Sequence, residues 1–385
     1  MKLRFAVTAA IVVAVTLLAI LPAAASPDIT VQWLKSQQHA DGGFGAKGST
    51  ITETAEVIYA LAAARQDVAG LKANGKSPLD YLAANLAEAK TVGVLAKVSM
   101  AVSASGQDAA SFGGKDLVGA IESSLNSEGA YTLGPEDNLI SQTYAMLALA
   151  GAGRTVPTSA VNWLRSKQQV GGGWAWNASD KAEDADSNST ALALEALIAA
   201  GVPKTDEAIV KGVEYLRKLQ NDDGGFPYAK PSPYGTDTDA DSTAFCIQAL
   251  IATGQDLAAW KTSSGKNPLD ALASLQRNDG AFAWQASVMD ANLLASAQAV
   301  PALLGMPYPI AVTKASAAVA ATVAPAAEAT GTAVATVAST AVATPAAQVL
   351  PVTGASGGAG PVVFVLAGLG CIAGGLALRR GLALR

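Results

Sequence analysis

Two acidic runs hold the residues best suited to chemistry. In "TDTDADSTAFCIQAL", Asp237, Asp239, Asp241 and Ser242 lead into an alanine-containing apolar segment. A carboxylic acid placed there can donate a proton, provided a hydrogen-bonded partner tunes it. In "DADSNSTALALE", Asp184, Asp186 and Asn188 alternate, and Glu195 follows eleven residues after Asp184. That spacing echoes an EF-hand calcium loop, although Ser189 stands where such a loop has glycine. Both runs have a second reading. Asp or Ser ahead of a helix accepts hydrogen bonds from its free amides and favours its positive end. A zinc site of the Asp, Cys and His type has little to draw on. The chain has one histidine, His39, and two cysteines, Cys246 and Cys371. His39 reads as a solvated loop residue, and two such cysteines imply no disulfide framework.

Aromatic residues follow the glycine turns in pairs two apart: Trp174 with Trp176, Phe226 with Tyr228, Phe282 with Trp284. In an extended loop, members of such a pair point the same way. The first of each pair is expected to pack on its own repeat. Trp176, Tyr228 and Trp284 are left to face an apolar or planar ligand at a pocket mouth. With Asp184, Asp186, Asp237, Asp239 and Asp241 they make the candidate ligand-binding set. No catalytic residue, cofactor or metal is specified beyond Asp241 as a candidate general acid.

What positions these residues is a repeat. Leu34 and Gln38, Leu164 and Gln168, Leu216 and Gln220, and Leu272 and Gln276 are each four apart, so each pair shares a helix face. A glycine-rich turn and an aromatic follow each glutamine: Phe44, Trp174, Phe226 and Phe282. The glutamine amide is expected to bond the free carbonyls of the helix end or the amides of the next loop. Then comes an alanine-rich helix such as "TAEVIYALAAA" or "TALALEALIAAG", fit for an inner layer, with Thr50 and Glu53 in capping-box spacing. The charged, amphipathic helices suit an outer layer. About six units begin near Pro27, Pro78, Lys115, Val156, Val202 and Pro268. Neither end offers a polar capping repeat, which favours a closed ring over an open stack. The fold class expected over residues 26–310 is therefore all-α, an α6/α6 toroid of helical hairpins.

Both ends read as address labels. Residues 1–25 have a basic start and an apolar core, the pattern of a signal peptide cut between Ala25 and Ser26. Residues 311–349, rich in Ala, Thr and Val, read as a stalk. Over 350–385, "LPVTG" precedes an apolar segment (361–378) and Arg379-Arg380, long enough to cross a bilayer as a transmembrane helix. This order resembles the sorting signal of sortase-anchored proteins. The resemblance implies cleavage between Thr353 and Gly354 by a sortase-like transpeptidase and an extracellular body anchored to wall or membrane. The net charge of -5 and the lack of a Lys/Arg cluster exclude a nucleic-acid surface.

The aromatic-Leu-x-x-x-Gln unit followed by Gly-x-aromatic resembles the QW-type repeat of the squalene cyclase and prenyltransferase group, over roughly 27–305. The resemblance implies an α/α toroid of six outer and six inner helices. It also implies that Asp241 occupies the place of the acid that protonates a polyene in terpenoid cyclases, with Ser242 replacing that family's neighbouring aspartate. Those cyclases use two toroidal bodies, whereas this chain has length for one. The end of the body, "SAQAVPALLGMPYPI", is similar to cobalamin-carrier α/α barrels, which implies a corrinoid as one ligand. The reading favoured by these residues is a non-catalytic toroid that binds a small ligand or a surface partner. A terpenoid-cyclase-like enzyme using Asp241 is the alternative.

Overall fold

The computed structural model describes residues 25–310. The signal peptide apart from Ala25, the stalk and the sorting signal lie outside the described residues. Along the chain run α1 (Pro27–Ser36), α2 (Ile51–Ala63), α3 (Pro78–Ala84), α4 (Val92–Ala104), α5 (Leu117–Ser123) and α6 (Leu139–Gly151). They continue as α7 (Thr158–Ser166), α8 (Ser187–Ala199), α9 (Glu207–Leu219), α10 (Ala240–Ala252), α11 (Pro268–Ser274) and α12 (Leu293–Leu303). A short antiparallel hairpin, β1 (Phe282–Gln285) and β2 (Val288–Asn292), joins α11 to α12. Among the described residues no helix is long and apolar enough to cross a membrane.

Even-numbered helices form the inner wall. α2 packs on α4, α4 on α6, and so on round to α12, which packs back on α2. The ring is closed. Alanine makes this possible: α8 and α10 bury nearly every side chain because small residues let neighbours approach from all sides. An outer helix buries one stripe, as α9 does with Ala208, Ile209, Gly212, Leu216 and Leu219. Each inner helix is capped by a side chain that accepts from its first turn: Thr50, Thr91, Asn138, Asp186, Asp239 and Asn292. In four of the six, a hydroxyl four residues beyond the cap receives the amide of the buried turn aromatic. Thr54 bonds Phe44 at 2.9 Å, Thr190 bonds Trp174 at 3.0 Å, Thr243 bonds Phe226 at 3.0 Å and Ser296 bonds Phe282 at 2.8 Å. Thr54, Thr190, Thr243 and Ser296 thus tie each of these turns to its inner helix.

The glutamines act differently from the expectation. They neither cap their own helix nor accept from loop amides within the repeat; they link one unit to the next. Gln168 donates to the carbonyls of Gly172 and, in α9, Ala208, both at 2.8 Å. Gln220 does the same with Gly224 and Trp260. At the seam, Gln276 accepts from Ser26 N (2.9 Å) and donates to Ser26 O and Thr30 Oγ1 (2.8 Å each). The turn glycines seat this contact. Gly172 (φ +94°) would place a Cβ 2.4 Å from Lys211 O, and Gly280 (φ +92°) one 2.6 Å from Ile29 O. Only glycine permits that approach. Gln276→Ala should therefore lower stability by about 1–3 kcal/mol, from lost seam bonds and unpaired groups. Gln38, with one bond of 2.9 Å and two of 3.5 Å, should lose less as alanine. Urea unfolding of both variants checks the order; equal losses would contradict a seam held by Gln276.

Candidate functional site

The loops from outer to inner helices gather at the end of the ring where the inner helices begin, so the capping residues surround one mouth. Asp186 and Asp239 are buried caps there. Asp186 accepts from Ser189 N (2.7 Å) and Ser189 Oγ (2.6 Å). Burial pushes its carboxyl up to about 6, restrained by hydrogen bonds from Ser189, the Tyr228 side chain and the Trp176 backbone. Asp239 accepts from Ser242 N at 2.7 Å. Burial carries it to about 7, restrained by Ser242 and the Tyr228 backbone. Capping is thus the role the structure gives both. Asp241, in the first turn of α10, caps nothing. It is partly buried, and its Oδ1 is shut from solvent without a hydrogen-bond partner. Burial, with the charges of Asp239 and Glu56 adding, lifts its carboxyl to about 8.

Of the other candidates, Asp184 is partly buried and Asp237 exposed. The calcium-loop arrangement does not form. Asp186 and Glu195 are separated by nine residues of helix, roughly 13 Å along its axis. Trp174, Phe226 and Phe282 are fully buried, while Trp176, Tyr228 and Trp284 stay partly exposed. The loops bearing two of these are held by inner-helix amides. Leu139 N donates to Trp176 O (3.1 Å) and Ser187 N to Tyr228 O (2.8 Å). Tyr228 meets Tyr234 edge-on, with ring centroids 5.7 Å apart. Ala25 packs on the core beside α12, and Ser26 forms the seam described above.

Sequence reasoning missed the ring axis. Glu56 of α2 and Lys97 of α4 form a buried ion pair, and the Lys97 ammonium lies 4.6 Å from the centroid of Tyr144 in α6. After α12 the chain turns back under the ring and inserts Tyr308. Its amide donates to Glu195 Oε1 (3.0 Å) and its hydroxyl to Glu56 Oε2 (3.3 Å). Its ring sits 4.9 Å from Tyr59 and 6.4 Å from Phe245. Burial lifts the Glu195 carboxyl well above its ordinary range, against the restraint of the Tyr308 amide. The niche lined by Ala55, Glu56, Tyr59, Lys97, Tyr144 and Tyr308 has no room for a water molecule. A sequence signal existed for part of this. Glu56, Lys97 and Tyr144 each fall six residues after an inner-helix cap and interrupt apolar stretches. Nothing marks Tyr308.

The family model described as squalene-hopene cyclase C-terminal domain matches residues 83–227, and that of the prenyltransferase alpha-alpha toroid domain matches residues 190–331. Among solved structures, the apo type II terpene cyclase MstE from Scytonema is 16% identical with a TM-score of 0.52, over 72% of this chain and 96% of that one. A protein from Actinoplanes is 17% identical with a TM-score of 0.53, over 72% and 98%. The GH76A alpha-1,6-mannanase from Salegentibacter sp. HEL1_6 is 10% identical with a TM-score of 0.50, over 73% and 98%. No curated protein matches the chain.

Two measurements test this geometry. Tyr308→Ala should cost about 3–5 kcal/mol, as for other buried aromatics cut back to alanine; a loss under about 1 kcal/mol would mean that the insertion contributes little. Asp241 keeps its proton up to about pH 8 when folded but releases it near 3.8 when unfolded. The folded chain therefore binds more protons across that window, and stability falls as pH rises through it. Asp241→Asn should match the parent near pH 4 and exceed it near pH 8.5 in thermal unfolding. Parallel pH curves would contradict the burial of this carboxyl. The described body is an α/α toroid, and the squalene-hopene cyclase C-terminal and prenyltransferase toroid models each match part of the chain.

Proposed function

We propose that the chain is a non-catalytic binding toroid, displayed at the cell surface by its C-terminal sorting signal, which receives a ligand or partner at the loop end of the ring. The observation that carries this reading is the filled axis. A polyene folding for cyclisation needs a chamber of several hundred Å³, and the niche at the ring axis lined by Tyr308, Tyr59, Tyr144 and the Glu56–Lys97 pair has no room for even a water molecule. The acid is also weak. Protonating an alkene calls for a carboxylic acid made stronger by its partner, whereas Asp241 is lifted to about 8 with one oxygen unpartnered. The fold itself is neutral on the matter, since a terpene cyclase and a mannanase both share it at low identity. The partly exposed Trp176, Tyr228 and Trp284, with Asp184 and Asp237 on the same loops as the first two, supply the contact surface.

The rival reading, a terpenoid-cyclase-like enzyme, draws on Asp241 standing in the acid position and being neutral at pH 7. Incubation with linear polyprenyl compounds, cobinamide and cobalamin separates the two, with thermal stability and product formation followed together. Binding is expected to raise the unfolding temperature without product. Turnover that disappears in Asp241→Asn would overturn the proposal.

A further inference from the structure

The two ends of the ring differ in charge and in exposed apolar side chains. Loops that run from outer to inner helices (37–50, 85–91, 124–138, 167–186, 220–239 and 275–292) carry thirteen carboxylates besides the buried caps Asp186 and Asp239, against six lysines and arginines. Loops at the other end (64–77, 105–116, 152–157, 200–206, 253–267 and 304–310) carry five against eight. The acidic end also holds five of the eight large apolar side chains exposed on the body: Leu133, Val170, Tyr234, Val288 and Met289. They come from four successive loops, and Val170 is fully exposed. Isolated exposed apolar residues need no account, but a series on one acidic rim does.

The hairpin indicates the form of the occupant. Val288 to Ala291 of β2 are exposed, and among the described residues β2 pairs with β1 alone. A strand open on one edge offers main-chain groups to an added extended segment. The Met289 carbonyl already accepts from the Arg277 guanidinium, so a cation is at home beside this strand. A small polyamine would match the carboxylates but would use neither the apolar side chains nor the strand edge. We infer that, granted the binding-module reading on which this rests, the partner is an extended basic peptide segment with apolar residues among its lysines and arginines, lying along β2 and across the acidic rim.

The test uses the full chain in mild detergent and a labelled peptide of about fifteen residues alternating Lys and Val, long enough to span the rim as a strand. Its counterpart with Glu for Lys, and spermine, are the controls. The Lys-Val peptide should bind and weaken as salt rises, while the Glu counterpart and spermine should not bind measurably. Affinity should drop roughly fivefold to tenfold in a triple variant, Asp184→Asn with Asp237→Asn and Asp290→Asn. It should also fall in Val288→Ser with Met289→Ser, and hold in Lys261→Gln with Lys266→Gln at the opposite end. Equal binding of the Glu counterpart, or an unchanged affinity in the triple variant, would overturn the inference. If the peptide fails while a polyprenyl compound or corrinoid still stabilises the chain without turnover, the partner class falls and the binding reading stands. Turnover dependent on Asp241 would remove both.

Discussion

The structure depends on the contact between each glutamine-glycine corner and the helix pair that follows. A hairpin of two helices cannot bury both faces of its alanine-rich member, so it is stable only between neighbours. The glutamine side chain answers this by spanning two units, with its amide on the glycine carbonyl of one and on the outer helix or loop of the next. Glycine is required at that corner because the neighbour's backbone carbonyl fills the space of a Cβ. At Gln276 the side chain turns wholly to the next unit, bonding Ser26 and Thr30, while Gly280 keeps the same close approach, to Ile29 O. Closure therefore needs no special chemistry, only one more use of the repeat's own contact. It also removes the two end surfaces that an open stack would have to protect.

Closing a ring of six inner helices leaves an axis, and what fills it decides what the ring can do. Here the axis is polar and packed. A buried ion pair such as Glu56–Lys97 is a poor source of stability, because desolvating two charges offsets their attraction. Its partners explain how it is tolerated: the Tyr144 ring faces the ammonium, and the Tyr308 hydroxyl donates to the carboxylate. Glu195 is handled in another way. Burial favours its protonated form, and the Tyr308 amide serves one of its oxygens. Tyr308 thus bridges α2 and α8, two inner helices that are not neighbours in the ring, and meets α10 through Phe245. The segment after α12 is a strut of the ring as much as a plug.

The repeat was legible in the sequence because each copy restates the same local constraints at the same spacing. Six hairpins, the inner and outer layers, the burial of Trp174, Phe226 and Phe282, and the capping alternative, which Asp186 and Asp239 fulfil while Asp241 and Ser242 do not, all follow from contacts within one unit or between adjacent ones. The glutamine's role was only half legible: its link to the glycine turn is local, whereas its second partner lies in the next unit, around forty positions away. Tyr308 was not legible at all. Its hydrogen-bond partners are 113 and 252 positions distant, and nothing periodic relates them. The calcium-loop pattern, the lesser reading of its run beside capping, has the opposite origin. A spacing suited to a loop was read across residues 187–195, where the helix carries Glu195 down to the axis and away from Asp186.

These observations separate two regions by the kind of change each can absorb. Axis residues are tied to one another through the Tyr308 side chain and amide, so a substitution at Glu56 or Glu195 strands a buried partner and is felt across the ring. Rim loops are bound to the ring mainly through backbone, as when Leu139 and Ser187 amides hold the carbonyls of Trp176 and Tyr228. A backbone tether fixes where a loop runs while leaving most of its side chains to vary. In a toroid whose centre is occupied by its own tyrosines, the rim is the surface on which side chains are left to vary. The carboxylates and exposed apolar side chains concentrated at one end of the ring lie on that surface, which is why the binding proposal is placed there.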